Sequence, residues 1–573
     1  MCGIWGFLSF NKGSSNHATD LYSSFNKLKA RGPDRSDYKY INTFIDMYIG
    51  FHRLAIMDTS PIGDQPFQLN IRDENNDKNI YLLCNGEIYN YKLLKKEHPN
   101  YELKSESDCE ILIHLYHEYG FEEMVKKLRG EFAIAVIEVD NKKDIVRVFI
   151  SRDQTGVRPL FYGYDSEGFG FSSLLKGLSN ELDRKTIRQL KCGEIINFTI
   201  DNKLNKSLIK SKFHSFNLPR EFRTDIEQIK NDIRNTFKEA VRIRLDSHRK
   251  IGALLSGGLD SSLVVSVTNE YLQSEGNSEP LKTYSIGIQG STDRPYAEMV
   301  SKHCGTDHTH IELSNDEFLD AIREVIRITE TYDITTIRAS VPQYLASKYI
   351  AEKYDIKVLL IGDGSDEVCM GYLYNHNAPT PMDAHNDSIR LVKNIQYYDS
   401  LRADRCIAGN GMEARVPFLD VEFVSLYLSI DPSLRIPRKK DDDQSGRRIE
   451  KWLLRSSFDC NNDNGKPYLP CDILWRKKEA FSDGVSSESK SWFEIINEKI
   501  LTMNDLDDDN DNEISYHVKP HTREGRYYKK IFNQLFGYEC ATVIPNGYWM
   551  PKWSGDVKDP SARVLKVYKN NDE

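Results

Sequence analysis

Short runs of β-branched and aromatic residues, broken by Gly, Asn and Asp, dominate the first two hundred positions. Residues 4–10, 43–56, 80–88, 132–139, 145–150 and 193–200 predict strands. Two helices interrupt them. One lies near residues 18–29. The other opens at Ser107, with Glu110 at the spacing of a capping box. Many strands and few helices predict an antiparallel layered fold. The polar stretch 201–212 reads as a linker or as the end of a hairpin.

From Ile226 the period changes. Ile226, Ile229, Ile233, Phe237 and Val241 recur every three or four residues and give one apolar helix face. Residues 251–255, 283–286 and 357–361 then read as short buried strands with helices between them. That alternation predicts a parallel sheet. The remainder, from about Glu367, reads as mainly helical. Residues 438–446 and 504–513 carry charge with almost no apolar content and predict solvated loops. No internal repeat is visible.

Length and composition add limits. At 573 residues the chain is too long for one ordinary core, and 39% hydrophobic with 28% charged is a soluble globular balance. A formal charge of −9 gives no reason to expect a nucleic-acid partner. No apolar run approaches the ~18 residues of a membrane span, and no leader-like segment is expected at the start. Ten cysteines without a C-x-x-C pair read as reduced intracellular thiols, which places the chain in the cytoplasm.

Candidate chemistry falls in two places. Cys2 follows the initiator methionine and precedes the small Gly3. With Met1 removed, one residue offers a thiol nucleophile and an α-amine able to act as its base. Asn85 and Gly86, in Asn85-Gly86-Glu87-Ile88-Tyr89-Asn90, could supply an oxyanion with a side-chain amide and a backbone N–H. Arg53 could pair with a carboxylate and Asp108 with an ammonium. An amide, a carboxylate and an ammonium together describe glutamine.

The second place is Leu255-Ser256-Gly257-Gly258-Leu259-Asp260-Ser261-Ser262, between a strand and a helix. Small residues let backbone N–H groups approach a polyphosphate, and Ser261 and Ser262 fall at a helix N-terminus. The lysine of the Walker loop is missing. Asp260 suits Mg²⁺ carried by a nucleotide. Ile361-Gly362-Asp363-Gly364-Ser365-Asp366-Glu367 follows another buried strand, at the carboxyl end where α/β sheets bind ligands. Asp366 could share that Mg²⁺, Asp363 could handle a proton, and Glu367 could cap the next helix.

The N-terminal part resembles the class II glutamine amidotransferases. The likeness rests on Cys2-Gly3-Ile4, Arg31-Gly32-Pro33-Asp34, His52-Arg53-Leu54, the Asn85–Asn90 run and Ser107-Asp108. The two later loops resemble the ATP-pyrophosphatase fold and, more narrowly, the asparagine synthetase family. Leu401-Arg402-Ala403-Asp404-Arg405, Met412–Asp420, Trp475–Glu479, Phe481–Val485 and Asp559–Arg563 extend that likeness over nearly the whole chain. The resemblance implies an α+β N-terminal-nucleophile hydrolase sandwich over residues 2–200. An α/β parallel-sheet ATP-pyrophosphatase domain with a helical C-terminal region would follow over 201–573.

It also implies roles. Cys2 would attack glutamine, with Arg53, Asn85, Gly86, Glu87 and Asp108 holding the substrate or its oxyanion. Residues 256–262 would hold the pyrophosphate end of ATP, and Leu255, Ser285, Ile286 and Gly362 would lie near the adenosine. Asp260 and Asp366 would bind Mg²⁺, and Lys478 would neutralise phosphate charge. The implied activity is that of a carbon–nitrogen ligase. It would build asparagine from aspartate and glutamine-derived ammonia through a β-aspartyl-adenylate, releasing AMP, pyrophosphate and glutamate. Asp363 departs from the family, which has glutamate there. Aspartate keeps the charge but is one methylene shorter. Two rivals remain at this point: an amidotransferase with another acceptor, and a non-catalytic protein built on the same folds. Oligomeric state stays open, a homodimer included, and the aspartate-binding residues are not identified.

Overall fold

The computed structural model describes residues 1–11, 15–439, 448–503 and 518–565. The predicted loop 504–513 lies outside the described residues. So does most of 438–446, of which Arg438–Lys439 forms a short strand paired with Arg448–Ile449.

Two six-stranded antiparallel sheets open the chain. The first contains β1 (Gly3–Ser9), β2 (Arg35–Asn42), β3 (Asp46–Arg53), β8 (Phe161–Tyr164), β9 (Gly168–Ser172) and β10 (Arg188–Gln189). The second contains β4 (Phe67–Arg72), β5 (Asp77–Ile88), β6 (Gly130–Asp140), β7 (Ile145–Arg152), β11 (Glu194–Asp201) and β12 (Lys206–Lys212). Their inner faces share one core, in which Ile4, Leu8 and Phe171 meet Leu83, Ala135 and Phe198. Helix α1 (Ser15–Asn26) covers the outer face of the first sheet through Leu21 and Phe25, against Trp5 and Phe7.

Residues 201–212 form the hairpin rather than a linker. β12 pairs antiparallel with β11 and adds an edge to the second sheet. The capping box expected at Ser107 does not form. After α2 (Tyr91–Glu97), α3 (Ile111–Lys126) begins only at Ile111 and packs on the second sheet. The Glu110 carboxylate instead accepts from the Lys104 and Ser105 N–H groups at 2.9 and 2.7 Å. That tight preceding loop takes the carboxylate the helix would have used.

Past α4 (Ile226–Arg242), whose Ile229, Ile233, Phe237 and Val241 are buried, comes a five-stranded sheet. Its order is β15-β14-β13-β16-β17, and all pairs are parallel. β13 (Ile251–Leu254), β14 (Lys282–Gly287) and β16 (Val358–Leu360) match the three predicted strands. β15 (Asp307–Glu312) and β17 (Glu413–Arg415) were not predicted. Helices from Ser365–Val368 to Arg523–Phe536 dominate the rest. Among the described residues no helix is long and apolar enough to cross a membrane.

Candidate active sites

The first site forms where β1 and β5 meet. The Cys2 N–H donates to Asn85 Oδ1 at 2.9 Å, so the end of β5 holds the chain at the thiol. Burial pushes the Cys2 thiol up to about 11. An unassisted thiol there is protonated at neutral pH and needs a base. Asn85 Nδ2 is buried and has no hydrogen-bond partner among the described residues. A buried amide without an acceptor is a donor awaiting one. Gly86 beside it has φ +152°, and a Cβ there would lie 2.0 Å from the Glu131 carbonyl oxygen, so only glycine keeps the N–H in place.

Asp108 accepts from the Ile88 N–H at 2.7 Å and is buried, which pushes its carboxyl up to about 6. Burial, with Glu413 and Asp108 as further causes, also raises Glu87, although Arg415 stands 3.4 Å away. Arg53 is buried and engaged by the protein. It donates to the Ser60 carbonyl at 2.6 Å and the Met57 carbonyl at 3.2 Å, and pairs with Asp64 at 2.5 Å.

The second site is a cavity of ≈ 220 Å³ at the carboxyl ends of β13, β14 and β16. Leu255, Ser256, Gly258, Asp260, Ser261, Ser285, Ile286, Gly362, Asp363, Asp366 and Lys478 line it. Gly257 and Ser262 stand behind that wall. Gly257 has φ +78° and packs on Tyr296 and Ala297, while the Ser262 N–H is used in α5 (Leu259–Ser274) by the Gly258 carbonyl at 3.1 Å. The Ser256 and Ser261 hydroxyls lie 3.0 Å apart and close the loop on itself.

Of the cations that organise the acids, sequence reading named Lys478 but missed Lys451 and the part played by Arg402. Lys451 Nζ donates to both Asp260 oxygens at 2.7 Å and pairs with Asp366 at 2.6 Å. Lys478 meets Asp366 at 2.6 Å. Burial works against the charge on Asp366, but these two lysines hold its carboxyl well below the usual range. Burial likewise works against Lys451, and the two aspartates hold its ammonium well above the ordinary lysine value. Arg402 pairs with Asp363 and, at 2.9 Å, with Asp399. Arg402 belongs to the Leu401–Arg405 motif, which by itself gives it no role. Lys451 carried no spacing signal.

The carboxylates fit Mg²⁺, which binds hard oxygens and relies on one or two carboxylates plus phosphates. Asp260 and Asp366 converge on one cation already, the Lys451 ammonium. Among the described residues no group of three or more His, Cys, Asp or Glu could hold a metal alone.

The two sites belong to one assembly. Arg31 pairs with Asp404 at 2.6 Å, Arg129 with Asp420 at 2.7 Å, and Glu131 with Arg244 at 2.9 Å, all across the junction. The Met1 amine, buried, lies 3.4 Å from Glu413 on β17. Residues 1–214 match the family model described as a glutamine amidotransferase domain, and residues 232–387 and 379–556 match that described as asparagine synthase. The glutamine-hydrolysing asparagine synthetase of Gallus gallus is 41% identical over 594 residues, covering 100% of this chain and 99% of that protein.

The chain belongs to the glutamine-hydrolysing asparagine synthetase family.

The human member is 38% identical over 591 residues, covering 100% of this chain and 99% of the relative. A probable member from Acanthamoeba polyphaga mimivirus is 40% identical over 591 residues, covering 99% of this chain and 100% of the relative. The likeness thus spans both sites and the junction between them. It weighs against the non-catalytic rival, because Cys2, Asn85, Asp260, Asp366 and Lys478 are all present and brought together in two clusters.

Proposed function

We propose that this chain makes asparagine from aspartate, taking nitrogen from glutamine and driving the step with ATP. One observation carries the reading. A partly buried cysteine at the second position, bound to Asn85, and a phosphate-suited loop facing two acids lie in one chain, joined by buried interdomain ion pairs.

With Met1 removed, the Cys2 amine takes the proton of the neighbouring thiol. The thiolate attacks the glutamine side-chain amide, and Asn85 Nδ2 with the Gly86 N–H receives the oxyanion. Asp108 and Glu87 face the substrate ammonium. Arg53 supplies positive charge near the substrate carboxylate, already fixed by Asp64. Ammonia leaves and water clears the thioester.

In the second cavity, residues 256–261 face the ATP phosphates, and Ser285, Ile286 and Gly362 border the nucleoside. Bound Mg²⁺, held by Asp260 and Asp366, would neutralise charge on the pyrophosphate leaving group. Lys478 adds a cation beside the same phosphates. The aspartate β-carboxylate attacks the α-phosphorus, and ammonia then displaces AMP from the acyl-adenylate. Asp363, paired with Arg402, takes a proton from that nitrogen. The adenylate hydrolyses in water, so the bound substrates have to exclude bulk water from the cavity. By the same reading the protein works in the cytoplasm, and glutamine, aspartate and ATP are its substrates.

The test is product analysis with amide-¹⁵N glutamine, aspartate and ATP. Labelled asparagine and AMP in equal amounts are expected. ADP in place of AMP, or no labelled asparagine, would reject the adenylate route.

A further inference from the structure

The ammonium of Lys451 stands where two candidate metal ligands converge. Its side chain is 1% exposed, and its nitrogen lies 2.7 Å from Asp260 and 2.6 Å from Asp366. Sequence separation makes this a built contact: Lys451 is 191 residues from Asp260. The backbone is arranged to deliver it. Lys451 has φ +56°, the left-handed region a lysine seldom adopts, at the start of the helix Trp452–Ser457. A glycine opens its path. A Cβ at Gly371 would lie 1.9 Å from Lys451 Cε and 2.1 Å from Asp366 Oδ1. Lys451 therefore reaches the acids through a passage only glycine leaves open.

We propose that Lys451, admitted by Gly371, is a resident counter-cation that excludes free divalent metal from Asp260 and Asp366, so that metal enters only together with nucleotide phosphates.

The physical reasoning is a competition for one position. Two partly buried carboxylates without a cation, as Asp260 and Asp366 would be, repel each other and bind a divalent ion readily. With an ammonium between them, a lone Mg²⁺ meets an occupied, partly neutralised pair. A polyphosphate changes the balance. It offers the metal further oxygens and offers the displaced ammonium an anion of its own. Lys478, on the other side of Asp366, keeps that carboxylate in place during the exchange. Lys451 is a positioning residue in this account. It acts through Asp260 and Asp366 and sets the order of binding. The order has chemical sense: a metal bound beforehand would fill the site without the charge it must neutralise.

This inference rests on the reading of the cavity as a metal–nucleotide site. Its test uses Mn²⁺ as probe and electron paramagnetic resonance on the full chain, without activity. Wild-type protein without nucleotide is expected to leave Mn²⁺ free, and added ATP to immobilise it. Lys451→Met is expected to bind Mn²⁺ without nucleotide about tenfold or more tightly than wild type, because the cation between the acids is gone. Lys451→Arg, which keeps a cation, should resemble wild type. Melting temperature gives a second readout. Millimolar Mg²⁺ alone should raise that of Lys451→Met and leave wild type unchanged.

Tight Mn²⁺ binding by nucleotide-free wild type overturns the proposal, as does Lys451→Met with no gain in Mn²⁺ affinity. If the variants fold poorly and Mg²⁺ does not restore them, the counter-cation role is equally rejected. Failure of ATP-loaded wild type to bind Mn²⁺ would reject the nucleotide-site reading itself, a different result.

Discussion

Cys2 combines burial with an unusual need for a base. Its thiol is pushed up to about 11 by burial, and the nearest base available after processing is its own amine. Cys2→Ala should abolish glutamine-dependent asparagine formation and leave ammonium-dependent formation within about twofold, since the second site is untouched. Steady-state assays with each nitrogen donor check this. Loss with both donors would mean that Cys2 is needed for the junction rather than for hydrolysis.

Asp108 sets a pH limit. Burial raises its carboxyl from near 3.8 to about 6, so it is protonated below that value and ionised above it. Only the ionised form accepts a substrate ammonium. Glutaminase kcat/KM should thus fall as pH drops through about 6, approaching about tenfold per unit. Asp108→Asn should run at a lower level without that limb. Asp363 gives another residue-scale outcome. Arg402 already contacts the short carboxylate, and an added methylene displaces the charge by about 1 Å, enough to slow reaction roughly 100-fold. Asp363→Glu is expected to lower asparagine formation from either donor while glutaminase turnover holds. The residues legible from sequence were those whose partners are near in the chain or carried by a motif, such as Asn85-Gly86 and Asp260. Lys451 and Arg402 were not, because their meaning comes from contacts far away in sequence.

Elements were legible where burial was apolar. β13, β14 and β16 are the interior strands of their sheet, and each showed as a short hydrophobic run. The two missed strands are the edges. β15 reads Asp-His-Thr-His-Ile-Glu, polar because one side is open. β17 reads Glu-Ala-Arg and is fully buried, with Glu413 and Arg415 paired at 2.8 Å. Burial by ion pairing leaves no hydrophobic pattern. The β13–α5 turn shows what an element needs of one residue. Gly257 sits at φ +78°, and a Cβ there would approach the Ala297 nitrogen to 2.4 Å. Gly257→Ala should force this turn apart and shift Ser256 and Ser261, which line the cavity. We expect ammonium- and glutamine-dependent synthesis to fall together by about 100-fold, with glutaminase activity retained. Equal loss of glutaminase would show a global fold defect instead.

At the scale of the whole molecule, the two halves meet through charge as well as through apolar contacts such as Leu54 and Ile56 against Val358. Glu131 on β6 lies at the centre. It pairs with Arg244 at 2.9 Å and Arg158 at 2.9 Å, and accepts the Val416 N–H at 3.1 Å. Arg158 continues to Asp404 at 3.4 Å, and Arg244 to Asp420 at 2.9 Å. Each of these side chains is at most 2% exposed, so each charge depends on its partners rather than on water. Such a network contributes little net stability compared with an apolar contact, but breaking it at one member leaves cations stranded. Glu131→Gln keeps the shape and removes the charge, leaving Arg158 and Arg244 each with one carboxylate. The expected loss is about 3–5 kcal/mol, read from denaturant unfolding. Arg244→Met in the same background should recover part of it, because one of the stranded cations is removed with its partner. The functional signature should be separate from stability. If the junction also contains the ammonia passing between the sites, Glu131→Gln should produce more glutamate than asparagine, while wild type keeps the two near parity. An unchanged product ratio in a destabilised variant would mean that the network holds the halves together without helping to contain the nitrogen.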